Sequence, residues 1–311
     1  MTYLKRIKWV FNPEEYTGIG HTHAQVPTPY ILADRIRIFY AGRVSGISNI
    51  FSVDISPPPN FEVLSLSGSA VLMPSKNAGT FDDEGVMPSC IIQKEGIEYL
   101  FYSGWNSRNT IPYHNSTGIA KYNPSLNQIE RIYDGPVMER TYQHPYLAVT
   151  PCVWRSADIY ECLYISGLGW KKEIGKSYEP IYVVKKAYSD NLLDWQRPTE
   201  QHIPSEFALE CFSNPTVNYD SNNQELDILF CSRNAFDFRV NSNNSYKIKY
   251  AKEKNGKVER LQIEWGGSSA SKNELEMQCY PTFFKWGDKQ YIVYNGNSFG
   301  KTGFGIAEFI K

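Results

Sequence analysis

The chain has 311 residues and a formal net charge of −1, from 32 basic and 33 acidic side chains. That balance lacks the basic footprint of a nucleic-acid or anionic-membrane binder. No run approaches the ~18 apolar residues of a membrane-spanning helix, and the length suits one large all-β domain. Aromatic residues make up 14%, with 22 tyrosines. Such a supply favours strands, and it suits sugar recognition, in which a ring face covers apolar C–H groups and a phenol bonds a sugar hydroxyl.

The first eleven residues are rich in Tyr, Ile, Trp, Val and Phe and predict a strand. The start is basic, but no 7–15-residue apolar core comes after it, so no secretory signal is expected and a cytoplasmic location is. The six cysteines (Cys90, Cys152, Cys162, Cys211, Cys231 and Cys279) are scattered with no C-x-x-C pair, as buried reduced thiols would be.

Five segments then share one pattern: a proline, a small residue, a short apolar strand, a polar turn, and an aromatic-rich strand ending near Gly or Ser. Val26-Pro27-Thr28 leads to Phe39-Tyr40-Ala41-Gly42-Arg43, and Met87-Pro88-Ser89 to Phe101-Tyr102-Ser103-Gly104-Trp105. Thr150-Pro151-Cys152 leads to Tyr164-Ile165-Ser166-Gly167, Asn214-Pro215-Thr216 to Phe230-Cys231-Ser232-Arg233, and Tyr280-Pro281-Thr282 to Val293-Tyr294-Asn295-Gly296. The prolines are 61, 63, 64 and 66 residues apart. Each interval holds about four short strands, the content of a propeller blade. A proline fits the start of an innermost strand, where its missing N–H costs no ladder bond.

The expected architecture is therefore an all-β, five-bladed β-propeller spanning residues 1–311 as one domain, with blades opening near Pro27, Pro88, Pro151, Pro215 and Pro281. Only 31 residues run from Pro281 to the end, too few for four strands. The N-terminal strand is expected to complete the last blade and so close the ring.

In a propeller the innermost strands line the central channel, and the segments entering them rim one mouth. Those segments supply acids from three blades: Asp83 and Glu84 in blade two, Glu210 in blade four and Glu276 in blade five. Blades one and three supply His23, Gln25, Tyr142 and His144. The ends of the second strands add Arg43, Trp105, Asn106 and Arg233. Two arginines at matching repeat positions suggest forks for a carboxylate, a phosphate or a sugar diol. Paired carboxylates suit glycosidic chemistry, one protonating the leaving oxygen while the other attacks or activates water. On this reading Asp83, Glu84, Glu210 and Glu276 are candidate acid/base groups. His23, Gln25, Arg43, Trp105, Asn106, Tyr142, His144 and Arg233 are candidate sugar contacts. His21-Thr22-His23 lacks a third ligand, and neither metal nor cofactor is expected.

The repeat, together with Phe81-Asp82-Asp83-Glu84-Gly85-Val86-Met87-Pro88 at the opening of blade two, resembles the five-bladed furanosidase-like glycoside hydrolases. These comprise the arabinanase/β-xylosidase, invertase and β-mannoside phosphorylase families. The resemblance implies a carbohydrate-active enzyme and a carbohydrate or activated-sugar substrate, and it suggests a place in bacterial surface-polysaccharide metabolism. It also marks departures. Where arabinanase-like enzymes carry acids beside the blade prolines, this chain has Val26, Thr150 and Ser213. The alternatives are a glycan-binding propeller without catalysis, a phosphorylase or transferase holding phosphate with Arg43 and Arg233, and a protein-interaction propeller.

Overall fold

The computed structural model describes residues 2–311; of the first eleven residues, Met1 lies outside the described part. Strand β1 (Tyr3–Phe11) comes first. Blade one is β2 (Thr22–Ile31), β3 (Ile36–Val44), β4 (Ile47–Ile55) and β5 (Val63–Leu66). Blade two is β6 (Val86–Lys94), β7 (Ile97–Ser107), β8 (Tyr113–Asn123) and β9 (Gln128–Arg131). Blade three has three strands, β10 (Ala148–Ser156), β11 (Ile159–Lys171) and β12 (Glu179–Ser189). Blade four is β13 (Glu210–Asp220), β14 (Glu225–Asn234), β15 (Lys247–Lys254) and β16 (Lys257–Leu261). After β17 (Glu264–Gly267), blade five is built from β18 (Cys279–Trp286), β19 (Lys289–Asn295) and β20 (Phe304–Ile310).

This is the expected five-bladed propeller. The sheet order β17-β1-β20-β19-β18 carries the closure: β1 pairs antiparallel with β20, Leu4 opposite Phe309, and parallel with β17. The first strand thus covers an edge that would otherwise expose a row of unpaired backbone groups. Between blades lie apolar layers. Phe212, Phe230, Leu163 and Ile165 fill the space between blades three and four, and Phe39, Ile50, Leu100 and Tyr102 that between blades one and two. Among the described residues no helix is long and apolar enough to cross a membrane.

The prolines do not start the innermost strands. Each lies inside one, at a β-bulge: the register slips between Gln25 and Thr28, Pro88 and Cys90, Val149 and Cys152, Ser213 and Thr216, and Cys279 and Thr282. Each innermost strand bonds a neighbour on one side only, so the missing proline N–H is tolerated there too. In four blades the residue before the proline turns left-handed: Val26 (φ 52°), Thr150 (φ 49°), Asn214 (φ 44°) and Tyr280 (φ 52°). A β-branched or bulky residue held at such a φ stores strain that its surroundings must offset.

At three of them the surroundings do so by taking the N–H that the bulge turns out of the ladder. Val26 N donates to Asn295 Oδ1 at 2.8 Å, Thr150 N to Ser103 Oγ at 3.2 Å, and Tyr280 N to Cys231 Sγ at 2.9 Å. In every case the acceptor sits on the second strand of the preceding blade. Asn295, fully buried, also donates to Ala24 O and Gly303 O, so it ties blade five to blade one twice over. Asn295→Leu removes the acceptor of a buried N–H and is expected to lower the unfolding free energy by about 1–3 kcal/mol or more. Urea denaturation measures it; an unchanged midpoint would show that the latch carries no weight.

Candidate functional site in the central funnel

The bulged strands and the adjoining strand ends enclose a cavity of about 280 Å³ at the mouth of the channel. Its lining reflects cross-strand register, since side chains directly opposite on neighbouring strands share a face. Arg43 pairs with Ser48, Trp105 with Asn115, and Gly167 with Tyr182. All of these but Gly167 line the cavity. In blade four the pair next in register is Arg233 with Tyr246, and Tyr246 reaches the cavity. Gln25, Met87 and Tyr280 come from the innermost strands, and Phe238, Arg239 and Phe299 from loops of blades four and five.

The lining is aromatic and cationic. Four tyrosines converge on it, Tyr113, Tyr182, Tyr246 and Tyr280, along with Trp105. Tyr182 and Tyr246 bond through their hydroxyls at 3.1 Å. Burial raises the pKa of Tyr113 and Tyr280, so both phenols stay protonated at neutral pH. Trp105 packs directly against Gly85, which it can do because Gly85 has no side chain; a Cβ there would collide with the indole nitrogen. The side-chain carbonyl of Asn115 is buried in the lining without a hydrogen-bond partner. Arg43 gives its Nε to Gln25 Oε1 at 3.1 Å and has no carboxylate partner among the described residues. Arg239 crosses the rim over Phe238 and is gripped by both oxygens of Glu179, at 3.1 and 3.2 Å.

No carboxylate belongs to this lining. Asp83 accepts Gly79 N at 2.7 Å in its own loop, and Glu84 accepts Ser107 N at the end of β7. Glu210 lies in β13 with the parity of Phe212, facing the layer between blades. Its side chain is fully buried and is held by Arg260 at 2.9 and 3.0 Å, by Ser232, and by Glu206 N. Glu276 is exposed in a neighbouring groove that shares Phe238, Arg239 and Phe299 with the funnel.

Of the sequence-derived sugar contacts, the structure brings Gln25, Arg43 and Trp105 together. His23 is half-buried beside them. Asn106, one residue past Trp105, points to the opposite face and donates to Thr80 O. Tyr142 stands almost fully exposed in a loop, and His144 is buried between Thr141 and Pro198 O. Arg233 is buried beneath the funnel, 3.7 Å above the Phe238 ring, and donates to the carbonyls of Asn234, Ala235 and Pro180. It is the support of the aromatic wall, not a free fork. Sequence reasoning missed Arg239, Asn115, Tyr182 and Tyr246. The starts of the third strands held the signal, since Tyr113 and Asn115 alternate with the period of a strand face.

No protein-family model matches the chain. It is similar to the uncharacterized proteins MT1551 and Rv1502 from two strains of Mycobacterium tuberculosis, each 27% identical over 311 residues, covering 97% of this chain and 98% of the relative. Among solved structures, a glycosyl hydrolase from Bacteroides ovatus superposes with a TM-score of 0.71 at 12% identity, covering 99% of this chain and 93% of that one. A GH130-family structure superposes at 0.66 with 14% identity, over 92% and 84% of the two chains; that family of mannoside phosphorylases is described as containing glycoside hydrolases that target β-1,2 mannosidic linkages in Candida mannan. The chain has the propeller fold of these glycoside hydrolases and phosphorylases. This likeness fixes the fold, and the lining of the funnel is what bears on the chemistry.

These placements carry two testable outcomes. Arg260→Met strands the buried Glu210 carboxylate and is expected to cost about 3–5 kcal/mol in urea unfolding. The His23 ring is held down to about 4, by burial first and then by Arg43 and Lys301. The unfolded ring accepts a proton that the folded ring refuses, so stability present above pH 6.5 falls as the pH drops through about 4. An NMR titration of His23 with a midpoint near 6.5 would contradict this.

Proposed function

We propose that the chain recognises a carbohydrate in the funnel and does not hydrolyse it with a pair of carboxylates. The observation that carries this reading is the lining itself. An indole face and four phenols surround an unpartnered amide carbonyl, and no acid is among them. Ring faces cover the apolar C–H patches of a sugar, while Asn115 and the phenols match its hydroxyls. Hydrolysis through two carboxylates needs them about 5–10 Å apart across the scissile bond. Asp83, Glu84 and Glu210 are each committed to bonds elsewhere, and Glu276 lies exposed in the adjoining groove with no second acid facing it in that lining.

A second reading, transfer or phosphorolysis of a glycosyl group with one protein acid, is favoured by Glu179. It sits at the rim on Arg239 and is close enough to Tyr113 to act on its charge. A ligand that draws Arg239 away lets the Glu179 carboxylate take up a proton from solvent and pass it, as the acid, to the leaving oxygen, while the attacking oxygen comes from the co-substrate.

Glycan-array binding and turnover on a panel of glycosides test both. Binding without turnover is expected, and Trp105→Ala is expected to weaken it about tenfold, the scale of a lost aromatic face worth about 1.5 kcal/mol. Turnover that Glu84→Gln or Glu210→Gln abolishes would overturn the first reading. Turnover lost only in Glu179→Gln would select the second.

A further inference from the structure

We propose that the ligand of the funnel is a phosphorylated sugar, its phosphoryl group held between Arg43 of blade one and Arg239 of blade four. The inference rests on the carbohydrate reading and narrows its ligand class. In a ring of five, blades one and four are not neighbours, so the two guanidinium groups reach the cavity from separate walls.

Arg43 is a cation without a counter-ion. Its one bond to another side chain is to the neutral Gln25, and no salt bridge reaches it among the described residues. Burial lowers its pKa, and Arg239 across the mouth lowers it further against the opposing pull of Tyr280. Among the described residues Arg239 has one carboxylate partner, Glu179. With Glu179 at the rim paired to Arg239, the two arginines leave one positive charge uncompensated at a cavity whose described lining has no carboxylate. Holding such a charge half-buried is costly unless a ligand brings the opposite sign.

The shape of the donor set selects among anions. A carboxylate presents two oxygens in one plane, and a single guanidinium fork satisfies both. A phosphoryl group carries three acceptor oxygens spread around phosphorus and nearly two charges at neutral pH. That distribution matches forks from two walls. The hydroxyls of Tyr113 and Tyr280 face the same space with no partner within the described chain, and burial keeps their protons on as donors. Trp105 and Asn115, on the wall of blade two, are left for the sugar ring.

Calorimetric titration of the full chain tests this with glucose 1-phosphate, glucose 6-phosphate, mannose 1-phosphate, the neutral hexoses, glucuronic acid and inorganic phosphate. At least one hexose phosphate is expected to bind tenfold or more tightly than its neutral hexose and than inorganic phosphate. Its affinity is expected to fall as salt rises. Arg43→Met and Arg239→Met are each expected to weaken it tenfold or more, with Arg43→Lys retaining part, and with melting temperatures near that of the parent. Neutral hexoses binding as well as their phosphates, with Arg43→Met unchanged, would overturn the phosphoryl assignment and leave the carbohydrate reading standing. Inorganic phosphate binding as tightly as every sugar phosphate would overturn it in favour of a free phosphate site. Glucuronic acid binding best would replace the phosphoryl group with a carboxylate. No binding by any hexose phosphate, with glycans bound on the array, would also sink it.

Discussion

One backbone constraint organises this molecule: the left-handed bulge before the proline of an innermost strand, and the N–H it turns out of the ladder. A bulge leaves one residue of a strand without its ladder partner, and a buried N–H must find another acceptor. Here the acceptor comes from the blade before, at one repeated position on its second strand. Asn295 serves Val26, Ser103 serves Thr150, and Cys231 serves Tyr280. The matching residue of blade one is Ala41, which has nothing to offer, and Met87 of blade two is the one pre-proline residue without a positive φ. In blade four Asn214 keeps the left-handed turn, and the hydroxyl of Ser166 at the matching position has no partner. The strain of the bulges at Val26, Thr150 and Tyr280 is therefore relieved between blades, by an acceptor on the blade before.

The same bulges place the funnel. A left-handed residue re-aims the strand on either side of it, so Gln25 and Tyr280 reach the cavity from positions that simple alternation leaves ambiguous. This also explains which parts of the site are legible in the sequence. The repeat of prolines, the strand content and the closure by the first strand all rest on patterns of five, and the pattern survives local irregularity. Arg43 and Trp105 are legible for the same reason, since they end second strands at matching positions. The acids are not. A loop residue ahead of the proline would be free to turn inward, but the strand in blade four begins five residues before its proline, and strand parity decides the direction of Glu210. Parity sends it to the layer of Phe212, where Arg260 compensates its charge.

Arg233 and Arg43 occupy matching places and do different work. Arg233 is met by the carbonyls of the β14–β15 loop and by aromatic rings on three sides, so it stiffens the wall that carries Phe238 and Tyr246. Arg43 meets Gln25 alone and keeps its charge for the cavity. The difference lies in the turn that each arginine enters. Arg43 enters the tight turn Val44-Ser45-Gly46, while Arg233 enters a loop of twelve residues, 235–246, that folds back over it and delivers Arg239 in its stead. Loop length, easily dismissed as an insertion between repeats, here decides which arginine lines the cavity.

The fold and the lining thus point in different directions, and the lining is the nearer to chemistry. Structures that share this propeller bear the names of hydrolases and phosphorylases, yet they match this chain at 12–15% identity, where a scaffold persists and its site is free to change. A funnel that cleaves by two carboxylates must hold them unpaired or nearly so, since an acid locked to an arginine is a poor proton donor. This chain locks Glu210 and Glu179 to arginines and turns Asp83 and Glu84 to backbone N–H groups. What the funnel lining itself leaves unpaired is a guanidinium without a carboxylate, two phenols and an amide carbonyl, while Glu276 lies exposed in the adjoining groove. Free donors and free positive charge select a ligand by its oxygens. With Val26, Thr150 and Ser213 where acids would stand beside the blade prolines, the lining agrees with the proposal of a funnel that holds an anionic sugar.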